Sequence, residues 1–131
     1  MSAEVCVGAV VIHDGRILLI ERARGAGRGS WSVPGGRVNH GEPLAAAAVR
    51  ELQEETGLQG TCGRCLGWVE RISPEFHYVI FDYLVNVESP GAPRAGDDAA
   101  DVAWVRLDEL ASRSNLVPGL VDFLREGGLP V

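Results

Sequence analysis

The hydrophobic and polar positions of this chain follow two periods, one typical of strands and one typical of a helix. Residues 4–12 and 16–22 are short apolar runs, and Asp14-Gly15 between them is typical of a β-hairpin turn. Further strands are predicted at residues 31–33, 37–38, 65–72, 77–87 and 102–105. A glycine- and arginine-rich loop, 23–30, and a glycine- and aspartate-rich loop, 91–101, separate these runs.

The segment between residues 43 and 57 has the features of a helix. Its apolar side chains recur at helical spacing, at Leu44, Ala45, Ala48, Val49 and Leu52. Pro43 suits the first helical position, Glu42 favours the positive end of the helix, and Gly57 suits a left-handed cap. A second amphipathic helix is predicted at 117–126. The chain is therefore expected to be a mixed α/β protein, with residues 1–131 forming one domain without internal repeats.

Three glutamates of the first helix are expected to share one of its faces. Glu51, Glu54 and Glu55 stand at positions i, i+3 and i+4, so their carboxylates project within about one turn. Like charges repel at this spacing, and the usual compensation is a hard divalent cation such as Mg²⁺ or Mn²⁺. Arg50, beside Glu51 and four residues before Glu54, can orient a ligand carboxylate.

The stretch from Gly36 to Leu58 matches the pattern G-x5-E-x7-R-E-U-x-E-E-x-G-U at every defined position, with U aliphatic. At average residue usages of about 5–7%, such a match has a chance on the order of 10⁻⁸ in a chain this long. By this motif the chain resembles the Nudix hydrolases. The resemblance implies the Nudix-type α/β/α sandwich with a mixed β-sheet.

The family hydrolyses a nucleoside diphosphate linked to another group and uses Mg²⁺ or Mn²⁺. Carried onto this sequence, the resemblance makes the metal ligands Glu51, Glu54, Glu55 and the backbone carbonyl of Gly35. Arg50 would orient Glu51, and Glu42 would act in the outer shell. A Nudix-fold module that binds or senses a nucleotide without cleaving it is the alternative function.

The motif leaves the general base open between a glutamate of the helix and an acid on a downstream loop. Some family members carry a glutamate a few positions before a tryptophan equivalent to Trp104, and Asp97 and Asp98 occupy that neighbourhood. A plain polar turn is the other interpretation. The catalytic candidates are Glu51, Glu54, Arg50 and Asp98.

Candidates for substrate contact come from three other segments. Arg22 ends a strand where several family members bind phosphate, although a solvated strand end has the same pattern. Trp31 and His77 could flank a base or ribose, whereas a tryptophan before Pro-Gly-Gly can equally be core. Pro74, sixteen residues beyond Leu58, nearly matches a proline of members that cleave ADP-ribose. We therefore expect ADP-ribose slightly ahead of (d)NTPs as substrate.

Composition excludes some partners. The chain has 131 residues, 46% of them hydrophobic, and its formal charge of −6 and pI near 5.0 argue against the basic surface that polymeric nucleic acids require. No apolar run is long enough for a membrane span, and the start of the chain lacks a basic region and a cleavage site, so a cytoplasmic enzyme for a small-molecule nucleotide is expected. The sequence does not fix the oligomeric state, and a homodimer is one outcome that it allows.

Three cysteines, Cys6, Cys62 and Cys65, do not make a disulfide framework. The last two form a C-x-x-C segment, but a structural zinc site needs a second pair of ligands and a thioredoxin-like motif normally opens a helix. Here the segment lies near the start of a strand. The cysteines are therefore expected to be packing residues without bound zinc.

Overall fold

A computed structural model of the chain describes residues 2–25 and 27–131. The strands are β1 Glu4–Val10, β2 Ile12–His13, β3 Arg16–Arg22, β4 Trp31–Ser32, β5 Gly35–Arg37, β6 Thr61–Ser73, β7 Phe76–Asn86 and β8 Ala99–Arg106. The α-helices are α1 Leu44–Thr56 and α2 Leu120–Glu126, and a 3₁₀ helix spans Leu107–Ser112.

The strands form two four-stranded sheets. The first has the order β5-β1-β7-β6 and is mixed, because β1 pairs in parallel with β7 and antiparallel with β5. In the second, β3 pairs antiparallel with β2, β4 and β8. The expected α/β class with a mixed sheet is confirmed, and the division of the strands between two sheets is a detail that the pattern did not predict.

Two clusters of buried apolar residues pack the sheets and helices together. One lies between α1 and the first sheet, where Val7 and Ala9 of β1 meet Ala48 and Leu52. The other lies on the opposite side of the first sheet and includes residues of β3, the 3₁₀ helix and α2: Val10, Ile17, Leu19, Val33, Val105, Leu110, Leu120 and Leu124. Residues 17–20 are fully buried, which explains why β3 is a continuous apolar run rather than an alternating one.

Several predicted boundaries hold and others shift. The strand Arg16–Arg22 and the left-handed cap at Gly57, with φ of 77°, are confirmed. Pro43 is the N-cap rather than the first helical residue, because its ψ of 145° is extended. The C-terminal helix begins at Leu120 and not at residue 117, since Gly119 has a φ of 81° that a helix does not tolerate.

The sheet boundaries also differ from the prediction. Strand β6 begins at Thr61, four residues before the predicted start, and β8 begins at Ala99, so the loop predicted at 91–101 is shorter. Both extensions come from pairing with a neighbouring strand, β7 and β3 respectively, which local pattern does not report. None of the helices in residues 2–25 and 27–131 is long and apolar enough to cross a membrane.

Candidate active site

One arginine of α1 holds three carboxylates. Arg50 makes a bidentate ion pair with Glu42, through Nε to Oε2 at 2.7 Å and Nη2 to Oε1 at 2.9 Å. Its Nη1 donates to Glu51 Oε1 at 2.9 Å and to Glu54 at 3.1 Å, and its Nη2 also donates to the carbonyl of Arg37 at 3.0 Å. This pairing lowers the pKa of Glu42 to about 2. Arg50 therefore orients the glutamates of the predicted site, as the sequence suggested for Glu51.

Glu55 is the buried member of the set, with 3% of its surface exposed. The backbone N–H of Gly35 donates to its Oε1 at 2.6 Å. Burial raises the pKa of Glu55 to about 8, the Gly35 hydrogen bond opposes that rise, and the charges of Glu51 and Asp98 add to it. Burial also raises the pKa of Glu51. These carboxylates are costly to ionise unless positive charge is placed beside them.

Glycines on β5 let the strand approach these groups closely. A Cβ on Gly36 would lie 2.6 Å from the carboxylate of Glu51, and a Cβ on Gly35 would overlap the carbonyl oxygen of Val7. No other residue type fits either position without a shift of its neighbours. The Pro-Gly-Gly segment thus places a backbone edge directly against the carboxylates of α1.

The loop before β8 is attached to the C-terminal end of α1. The N–H groups of Arg94, Gly96 and Asp97 donate to the carbonyls of Thr56, Glu55 and Glu54 at 2.9, 2.8 and 3.2 Å. Gly96 is required here, because a Cβ would overlap the carbonyl oxygen of Glu54. These bonds fix the loop beside the carboxylate face of the helix.

Asp98 follows directly in this loop, with a φ of 62°. Its Oδ1 pairs with Arg24 Nε at 2.7 Å, and its carbonyl accepts from the N–H of Ala23. Its charge contributes to the raised pKa of both Glu51 and Glu55, while the charge of Arg22 opposes the rise at Glu55. Asp98 and Arg22 therefore lie within electrostatic range of the glutamates.

The other two predicted substrate residues lie in different surroundings. Trp31, on β4, has the guanidinium of Arg113 stacked over its ring at 4.6 Å. His77, on β7, pairs through Nε2 with Glu70 Oε2 of β6 at 2.8 Å. Among the described residues, neither side chain makes a hydrogen bond or ion pair with the glutamates of α1. Sequence reasoning missed Gly96, whose only local signal was a glycine before two aspartates.

The donor chemistry of the cluster fits a hard divalent cation. Carboxylate oxygens of Glu51, Glu54 and Glu55 and nearby backbone carbonyls are ligands that such ions prefer. The raised pKa values of Glu51 and Glu55 mark positions where added positive charge is stabilising. As placed, however, no three His, Cys, Asp or Glu side chains of residues 2–25 and 27–131 converge as a ready-made metal site. An ion would have to draw the glutamates together.

Comparison with known proteins defines the class. The family model of the NUDIX domain matches residues 3–126, so the chain belongs to the Nudix family. The crystal structure of a MutT NUDIX hydrolase from Burkholderia pseudomallei superposes with a TM-score of 0.85 at 34% identity, covering 96% of this chain and 98% of that one.

Curated relatives with functional names include two that match most of this chain. The ADP-ribose pyrophosphatase of Methanocaldococcus jannaschii is 34% identical over 108 residues, which are 81% of this chain and 63% of that protein. The phosphatase NudJ of Escherichia coli O1:K1 is 30% identical over 119 residues, or 89% of this chain and 77% of that one. The chain thus spans less than two thirds of the length of the archaeal relative.

Proposed function

We propose that this protein is a metal-dependent pyrophosphohydrolase that cleaves the diphosphate bond of a nucleoside diphosphate linked to another group. The observation that carries the proposal is the hydrogen-bonded cluster on α1, in which Arg50 fixes Glu42, Glu51 and Glu54 beside the buried Glu55. On a helix that only covers the surface, a glutamate would normally be exposed to solvent, whereas Glu55 is buried against the glycines of β5. The family relationship supports the same activity.

Mg²⁺ or Mn²⁺ is the proposed cofactor, with Glu51, Glu54, Glu55 and the Gly35 carbonyl as its ligands. When bound, such an ion neutralises phosphate oxygens and lowers the pKa of a water nucleophile. The chain's own residues orient the carboxylates. Arg50 holds the glutamates in place, and the hydrogen bonds from the loop to α1 keep Asp98 beside them. We assign proton removal from the attacking water to Asp98, whose carboxylate is exposed, with Glu51 or Glu54 as the alternative bases.

For the substrate we propose ADP-ribose ahead of (d)NTPs. The name of the archaeal relative supports this choice. Arg22 and Arg24 lie on the Asp98 side of the cluster and provide positive charge for a diphosphate. The acidic charge of the whole chain agrees with a small nucleotide rather than a nucleic acid.

The test is a turnover assay with ADP-ribose and a panel of (d)NTPs, each with Mg²⁺, with Mn²⁺ and with a chelator. We expect AMP and ribose 5-phosphate from ADP-ribose, no turnover with the chelator, and ¹⁸O from labelled water in a phosphate product. Preferential cleavage of a (d)NTP would overturn the substrate assignment alone. Tight nucleotide binding without turnover of any substrate would favour the non-catalytic module.

Matched variants test the residues. Glu54→Gln and Glu55→Gln each replace one proposed carboxylate ligand with a neutral amide at nearly constant shape, and each should lower kcat/KM at least 100-fold, about 2.7 kcal/mol of transition-state stabilisation. Glu126→Gln, at the exposed end of α2, is the control and should keep full activity. Near wild-type turnover of both helix variants at limiting Mg²⁺ would contradict the assignment.

A further inference from the structure

Irregular pairing of β6 with β7 brings the two cysteines of the C-x-x-C segment onto one face of the sheet. Cys62 lies opposite Val85 and Cys65 lies opposite Tyr83, so three steps along β6 match two steps along β7. Side chains two apart on a strand share a face, and Val85 and Tyr83 both pack into the core under α1. Cys62 and Cys65 therefore point the same way, whereas in a regular strand residues three apart point to opposite faces.

The bulge also shortens the distance between the cysteines. Because they lie opposite positions two apart on β7, we expect their Cα atoms to lie about 6.8 Å apart, twice the rise of an antiparallel strand. Disulfides span Cα separations of about 4.4–6.8 Å. Without the bulge, three steps of extended strand would separate the two Cα atoms by about 10 Å. The separation expected from the register therefore lies at the upper end of the range that disulfides span.

The two thiols differ in exposure, which suits a stepwise oxidation. Cys65 is exposed and Cys62 is partly buried. Burial raises the pKa of the Cys62 thiol, and the charge of Cys65 raises it further, which places the two sulfurs within electrostatic range of each other. No third His, Cys, Asp or Glu joins them as a metal-ligand group in the part of the chain that the structure describes.

We propose that Cys62 and Cys65 are a modification site that forms a reversible intrachain disulfide when a peroxide oxidises the protein. The Cys65 thiolate attacks one peroxide oxygen, the O–O bond breaks, and the leaving oxygen takes a proton to give water. The Cys62 thiol then loses its proton and attacks the Cys65 sulfenic acid, whose hydroxide leaves as a second water. In sum, two thiols and one hydrogen peroxide give one disulfide and two waters, and a dithiol reductant reverses the change.

The position of Arg64 makes the disulfide directly readable. Trypsin cleaves after Arg50, Arg64 and Arg71, so Cys62 and Cys65 fall in separate peptides, 51–64 and 65–71, unless a disulfide joins them. The native chain is treated with one equivalent of hydrogen peroxide near pH 8, alkylated in denaturant, digested and analysed by mass spectrometry. We expect the two peptides to be joined, two of the three thiols to be lost to alkylation, and dithiothreitol to restore all three.

Two variants serve as controls. Cys65→Ser should abolish the joined peptide, whereas Cys6→Ser should leave it intact, because Cys6 is buried on the opposite face of the first sheet, beside Ile80. Separate peptides carrying sulfinic acids, or a link to Cys6 or to a second chain, would overturn the proposal. The readout is thiol chemistry alone and so is independent of the proposed hydrolysis.

Discussion

Asp82 on β7 has a buried carboxyl group, one oxygen of which lacks a hydrogen-bond partner in the part of the chain that the structure describes. It is 7% exposed, and its Oδ1 makes no hydrogen bond within residues 2–25 and 27–131. The oxygen lies against Gly8 of β1, where a Cβ would overlap it. An unpartnered polar atom in such a place costs free energy, and the cost is larger when the group is ionised. Replacing Asp82 with Asn removes the charge at nearly constant shape.

The size of the effect follows from the pKa. Burial raises the pKa of Asp82 from 3.8 to about 6, although the charge of Arg71 opposes the rise. That difference corresponds to about 3 kcal/mol of folding free energy. The folded chain holds this proton more tightly than the unfolded chain. The cost in folding free energy is therefore absent below pH 3.8 and grows as the pH rises from 3.8 to about 6. Above that pH it stays constant. Asp82→Asn should therefore stabilise the protein by about 1–3 kcal/mol at neutral pH and by much less in acid.

Urea unfolding of both proteins at about pH 4.5, 6 and 8 measures this difference directly. Asp122→Asn, on the exposed surface of α2, is the matched control and should change stability by less than about 0.5 kcal/mol at every pH. A stability difference between Asp82→Asn and wild type that does not vary with pH would refute the argument. So would a variant that is less stable than wild type at pH 8.

Three further outcomes test the site. Gly96→Ala should destabilise the protein by roughly 1–3 kcal/mol in urea unfolding and lower kcat, because the new Cβ overlaps the carbonyl of Glu54. The control is Gly91→Ala, since the space around that glycine is open. Arg50→Lys keeps the charge but loses the bidentate pair with Glu42, so kcat should fall at least tenfold with the fold retained by circular dichroism, and unchanged kcat would show that the network is not needed. Asp98→Asn should lower kcat more than it raises KM; if kcat is unchanged, the base is one of the glutamates.

The first helix and the placement of its glutamates could be predicted because their signals are local. The apolar stripe, the Gly57 cap and the spacing of the glutamates all lie within a few residues of one another, and tertiary contacts do not overrule them. Strand β3 was predicted to the residue for the same reason, since an apolar run closed by a turn and a charged end is unambiguous. The sequence thus predicted the helix on which the candidate site is built.

The remaining features depend on pairing between distant segments. The bulges in β6 arise only where it meets β7, so the sequence alone indicated neither the early start of β6 nor the shared face of its cysteines. Arg50 has several acidic neighbours within reach. It forms its bidentate ion pair with Glu42 because the loop before α1 brings that residue beside it. Likewise, the partner of Asp98 is Arg24, from a loop more than seventy residues earlier in the sequence.

The loop before β8 explains how α1 tolerates so many carboxylates near its C-terminal end. The helix dipole places partial negative charge there, α1 has no basic residue in its last turn, and Glu54 and Glu55 add full negative charges. Three loop N–H groups donate to the last carbonyls and offset that partial charge, where a solvent-exposed helix would rely on water. The same three bonds hold the backbone just before Asp98. One set of contacts therefore stabilises the end of the helix and also positions a fourth carboxylate, that of Asp98, beside the acidic face. A change that loosens the loop should weaken both effects together.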